Sequence, residues 1–214
     1  MLAQIQRALE VIYGVSAPEK VEDFLVSPAT LAGLGTRVRA PEELLVLPGA
    51  DELELALYLA PEVLARLPEL QGDTPGGFLE GLLPAFATAA EGVSHFVYLT
   101  LSALAGRAVS LLELEAQAEV DKFATALLHL WKHGERRLSP RLRELLFERV
   151  GWRADLSVEE GERYRFANQL ARGYADFLES RFVQDDRLEG LLSELRLSYR
   201  LCAPQKFFRL AQHG

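Results

Sequence analysis

Two short strings fix most of what this chain can become. Ser110-Leu111-Leu112-Glu113 and Ser157-Val158-Glu159-Glu160 each set a serine three residues ahead of a glutamate. In that spacing the serine hydroxyl and the glutamate carboxylate satisfy backbone N–H groups that a helix start leaves unpaired. The first box predicts a helix from Ser110 to about His133, stopped by Gly134. The second predicts a helix to about Phe182. Helices of this length must bury an apolar stripe, so the fold has to be built on helix packing.

The rest of the chain adds shorter helices around these two. Leu2, Ile5, Leu9 and Ile12 recur at helical spacing and Gly14 ends the run. Pro61 opens a helix to about Leu67, and Pro84 resumes helical chain after a Gln71–Gly77 loop. Gly92 is expected to break that chain before a helix over 93–105. His95 to Leu99 would also suit a strand, but no turn residue limits it to strand length. Gly106 then marks a turn. Further helices are expected from Ser139-Pro140 to Gly151, over 187–200 with an aspartate cap at Asp185 or Asp186, and from Pro204 to about Gln212. Residues 15–41 read as irregular chain with a helical turn near Thr30 to Leu34.

One segment breaks the helical period. Leu53, Leu55, Leu57 and Leu59 alternate with Glu52, Glu54, Ala56 and Tyr58, the pattern of a half-buried strand. Glu43 to Leu47 precedes it, across the turn signal Pro48-Gly49-Ala50-Asp51. The expected fold is therefore mostly α (α+β): about seven helices with one short antiparallel β-hairpin near residues 43–59. No linker interrupts the sequence, so residues 1–214 are expected to form a single domain, with the hairpin in the N-terminal part and an all-helical C-terminal part.

Composition excludes several function classes. One cysteine, Cys202, can build neither an intramolecular disulfide nor a thiolate metal site. No secretory leader is recognised at the N-terminus, and no apolar run reaches about 18 residues, so no membrane partner and a cytoplasmic location are expected. Lysine is confined to Lys20, Lys122, Lys132 and Lys206 while arginine is common, which suggests a GC-rich bacterial genome. The net charge of −8 argues against a nucleic-acid binder. It is uneven: residues 1–131 carry 7 basic and 18 acidic side chains, residues 132–214 carry 16 and 13. An acidic part could meet a basic part within the chain or between copies.

Candidate chemistry is sparse. His129 and His133 stand one helical turn apart and could chelate a metal ion, although no third ligand is near in sequence. If two helices run antiparallel about Gly106, His95 comes level with Glu119, Thr100 with Glu115, and Tyr98 near Gln117. A histidine held by a carboxylate suits acid–base work, which makes His95 and Glu119, supported by Glu115 and Tyr98, the candidate catalytic group. Arg136, Arg137, Arg141, Arg143, Arg149 and Arg153 crowd one stretch, but Glu135, Glu144 and Glu148 lie among them. Tyr164, Phe166, Leu170, Tyr174, Phe177 and Leu178 read as a packing stripe. No cofactor motif and no nucleophile elbow occurs. The sequence thus points first to a non-catalytic helical protein that binds another protein or itself. The alternative is an enzyme built on His95 and Glu119.

Overall fold

The computed structural model describes residues 1–33, 35–36, 38–48, 53–71 and 73–212. It is mostly α with one small mixed sheet, the class expected. In order the elements are α1 (Leu2–Tyr13), β1 (Leu25–Val26), α2 (Pro28–Gly33), β2 (Glu42–Pro48), β3 (Leu53–Leu59), α3 (Pro61–Arg66) and the single turn α4 (Pro75–Gly77). There follow α5 (Leu83–Leu104), α6 (Leu111–Lys132), α7 (Ser139–Arg143), α8 (Val158–Leu178), α9 (Leu188–Tyr199) and α10 (Ala203–Ala211). Among the described residues no helix is long and apolar enough to cross a membrane.

Both serine boxes cap helices. Ser110 Oγ accepts from the Glu113 N–H at 3.2 Å and opens α6. Ser157 Oγ accepts from the Glu160 N–H at 3.2 Å while the Glu160 carboxylate accepts from the Ser157 N–H at 2.8 Å, which completes the reciprocal pair at the start of α8. Neither Asp185 nor Asp186 caps α9; Asp186 instead adopts a left-handed φ of 58° and turns the chain. α5 and α6 form an antiparallel hairpin, with α8 packed on α6 and α1 across α5. The core runs through this stack, with Phe96, Phe123, Leu127 and Tyr174 fully enclosed.

The hairpin lies where expected, and β1 was not foreseen. It pairs in parallel with β3, giving the order β1-β3-β2. In the antiparallel ladder Glu42 faces Leu59, Leu44 faces Leu57 and Val46 faces Leu55, so these six share one side of the sheet. Leu57 and Leu59 are buried and Glu54 is exposed, as the alternation requires, but on the expected wet side Ala56 is buried and Tyr58 half-buried. The expected turn residues Gly49, Ala50 and Asp51, with Glu52, lie outside the described residues.

Gly92 does not break α5. The helix runs through it, and the missing side chain makes room for the sheet. A Cβ at Gly92 would stand 2.9 Å from Glu42 Cγ and 3.0 Å from Leu57 Cδ1. This close approach seats the inner side of the sheet, and with it the Glu42 carboxylate, directly on α5.

Candidate functional site

A cluster of ionisable groups lies where the sheet meets the α5–α6 hairpin. α5 supplies Glu91 and His95, one helical turn apart; α6 supplies Glu115 and Glu119 at the same spacing, and Lys122 a turn beyond. β2 adds Glu42. His95 is at the centre: its Nδ1 lies 3.4 Å from Glu42 Oε1 and its Nε2 lies 3.7 Å from Glu115 Oε2. His95 and Glu115 are 8% and 9% exposed. Lys122 Nζ donates to Glu91 Oε2 at 3.1 Å and to Glu119 Oε1 at 2.8 Å.

His95 Nε2 is buried and has no hydrogen-bond partner. With the Nδ1 proton directed at Glu42, Nε2 presents a lone pair toward an electron-rich carboxylate oxygen. Two such atoms facing each other away from water need a positive charge between them. Without a ligand that charge is a proton. Burial alone would lower the His95 pKa, but Glu42 and Glu115 outweigh it and hold the imidazole well above its usual value. Burial pushes the carboxyls of Glu42 and Glu119 up, partly opposed by His95 at the first and Lys122 at the second. Burial would raise Glu91 too, but the Lys122 ammonium overrides it and leaves Glu91 lowered.

One ligand atom each from Glu91, His95 and Glu115 fall within 4.8 Å of one another. Bonds of about 2.1 Å at a tetrahedral angle hold neighbouring ligand atoms about 3.4 Å apart. Side-chain shifts of less than about an ångström would therefore close the three around one ion. Among the described residues this is the one grouping of three or more His, Cys, Asp or Glu side chains with that property.

His95, Glu42 and Glu115 also line a cleft of about 250 Å³. Its other walls include Leu99, Leu114, Arg39, Arg163 and Tyr164. The Arg163 Nε is buried without a hydrogen-bond partner. Glu91 and Lys122 do not line the cleft, so an ion held by the three ligands would be open on the cleft side and closed on the Lys122 side.

Sequence reasoning named His95, Glu115 and Glu119, and the structure brings all three to this cluster. The contacts differ from the expected register. His95 meets Glu115, and Glu119 joins Lys122 one turn further on. Equal counting from Gly106 assumes the helical 1.5 Å rise throughout. The connection from Arg107 to Ser110 is not helical, and Ser110 at its end is extended (φ −82°, ψ 155°), so each residue there can advance further than the helical rise. α6 therefore starts higher beside α5, and an earlier residue comes level with His95.

Tyr98 belongs elsewhere. Its hydroxyl donates to Glu113 Oε1 at 2.6 Å and accepts from Lys206 Nζ at 2.6 Å. Lys206, fully buried on α10, also donates to Gln117 Oε1 at 2.6 Å. Gln117 passes the network to Asp121, which accepts from Ser94 and Tyr13 as well. This chain of bonds fastens α1 and α10 to the face of the α5–α6 hairpin that carries Ser94 and Tyr98. The His129 and His133 rings lie 4.8 Å apart and tilted by 52°, and the Phe78 ring lies 4.7 Å from His129. No third metal-ligating side chain joins them among the described residues. Glu42, Glu91 and the role of Lys122 were missed. The signal for Glu91 was present in the sequence: Glu91 and His95 repeat on α5 the one-turn spacing of Glu115 and Glu119 on α6.

Compared with known proteins, the chain matches no protein-family model, no curated protein and no solved structure.

Proposed function

We propose that this protein binds one divalent transition-metal ion through Glu91, His95 and Glu115, and presents it to small molecules entering the adjoining cleft. The observation that carries the reading is the buried, unpartnered Nε2 of His95 aimed at Glu115. Glu42 then serves as the group that accepts the Nδ1 proton and fixes the tautomer, an outer partner of the kind that metal-bound histidines ordinarily have. One imidazole and two carboxylates form a borderline-hard donor set, suited to Mn²⁺, Fe²⁺, Co²⁺ or Zn²⁺. Three protein ligands with an open side leave room for water or a substrate oxygen, which the ion would polarise. The acid–base role expected for His95 is absorbed by this reading, because ion binding displaces the proton that His95 otherwise holds.

The other expectation was association through charge. Much of the basic run is engaged within the chain: Arg141 and Arg149 pair with Glu144, Arg143 with Glu179, Asp176 and Glu148, and Arg153 with Asp155. That leaves less unpaired positive charge for a second copy, and the metal reading is preferred.

The test is titration calorimetry of chelator-stripped protein with MnCl₂ and with ZnCl₂. One ion per chain is expected, with Glu115→Gln weakening binding by at least about 10-fold, in line with the loss of a charged ligand. Binding that His95→Ala and Glu115→Gln leave unchanged would overturn the proposal.

A further inference from the structure

We infer that the site is held to a single ion by Lys122, whose ammonium occupies the position of a second metal. The inference rests on the metal reading above and goes beyond it to what sets the number of ions.

The geometry is that of a two-cation carboxylate site with one cation supplied by the chain. Glu91 faces both ways: one of its oxygens falls within the ligand group of His95 and Glu115, and Oε2 accepts from Lys122 Nζ at 3.1 Å. Glu91 is thus shared by the ion position and the ammonium, as a bridging carboxylate is shared by two metals. Glu119 accepts from the same ammonium at 2.8 Å through Oε1, and its Oε2 is buried without a hydrogen-bond partner. Removing the ammonium would therefore leave a ready pair of carboxylates, one with a spare oxygen. Paired metals in such sites stand about 3.5–4 Å apart, a span that one carboxylate bridges.

Charge points the same way. Glu42, Glu91, Glu115 and Glu119 bring four negative charges to the cluster, and Lys122 returns one positive. One divalent ion beside neutral His95 leaves the group at about −1. A second ion added beside the ammonium would drive it positive. A second ion in place of the ammonium makes it neutral. Unlike a free ion, an ammonium tethered to α6 is present at every metal concentration and cannot be competed away. Lys122 is 12% exposed in its side chain, so solvent does little to screen it.

The experiment measures metal stoichiometry in the full chain. Chelator-stripped wild type, Lys122→Ala and Lys122→Met are dialysed against MnCl₂, and bound manganese is read by elemental analysis together with electron paramagnetic resonance. Lys122→Ala vacates the position and should bind two ions, with the spectrum of an exchange-coupled pair. Lys122→Met fills the same volume without charge and should bind one. Should Lys122→Ala fail to fold without metal, circular dichroism is expected to recover on adding Mn²⁺. One ion in both the wild type and Lys122→Ala would overturn this inference and leave the metal reading standing. Two ions in the wild type would overturn it as well, as would a Lys122→Ala chain that stays unfolded at millimolar Mn²⁺. No ion in the wild type would instead remove the metal reading on which it rests.

Discussion

Replacing Lys206 by methionine should change how stability depends on pH, and by a predictable amount. Lys206 is fully buried between Tyr98 and Tyr199, and its Nζ has two hydrogen-bond acceptors, the Tyr98 hydroxyl and Gln117 Oε1. A neutral amine has two N–H donors and is satisfied there, whereas an ammonium carries a third into a dry site. Burial accordingly brings its pKa from 10.5 down to about 7, against the opposing pull of Glu113 and Asp121. The unfolded chain keeps the ordinary value, so between pH 7 and 10.5 unfolding takes up a proton that the folded chain lacks. Stability then rises with pH across that window, and below pH 7 the full penalty is present. At about 1.36 kcal/mol per unit, a gap of this size bounds the penalty at about 5 kcal/mol, of which about 3 kcal/mol should disappear between pH 6 and pH 9.5. Lys206→Met has no such titration. It loses two hydrogen bonds worth about 1 kcal/mol each but also the buried charge. Urea unfolding followed by circular dichroism should show the wild type ahead of the variant at pH 9.5, with that lead gone or reversed at pH 6. Titrating groups remote from Lys206 are common to both proteins and cancel in the difference; Asp121, whose pKa burial raises to about 6 partly against the pull of the Lys206 charge, does not, and its contribution is confined to the acid end of the window. Parallel stability–pH profiles would refute the reasoning.

Three further predictions follow from the packing and the site. Gly92→Ala gains helix propensity of up to about 1 kcal/mol, yet its Cβ meets Glu42 Cγ and Leu57 Cδ1 at 2.9 and 3.0 Å, so a net loss of about 1–3 kcal/mol is expected in urea unfolding, with weaker metal binding because Glu42 is displaced. Tyr13→Phe removes a buried donor to Asp121 and should lower stability by about 1–3 kcal/mol by the same assay. Metal affinity should fall as pH falls, since Glu42 and Glu115 hold His95 protonated and the ion must displace that proton; calorimetry in buffers of different ionisation heat would show proton release, and a pH-independent affinity would argue against His95 as a ligand.

Most of the helical frame was legible in local signals. The two serine boxes, the glycine after α1 and the prolines opening α3 and α10 each act within a few residues, so sequence alone places them. β1 was not legible, because two residues pairing with a distant strand leave no period to read. Gly92 was misread as a breaker because a glycine inside a helical pattern carries two meanings. The sheet pressing on α5 selects the second, and that contact links residues 42 and 57 to 92. The site was half legible. His95, Glu115 and Glu119 stood out by type and spacing, but their partners depended on how far the non-helical connection over 107–110 advances the chain. Glu42 was hidden most deeply. It shares the apolar side of the sheet with Leu44, Leu57 and Leu59, and a carboxylate in that row declares itself only once the register of the hairpin is known.

The most direct test of the account is an anomalous X-ray difference map from crystals grown with Mn²⁺ or Zn²⁺ and measured at the absorption edge. One peak is predicted, about 2.0–2.2 Å from His95 Nε2 and from an oxygen each of Glu91 and Glu115, with Lys122 Nζ still on Glu91 and Glu119. A crystal with no peak at this position, or with its peak between His129 and His133, would contradict the assignment.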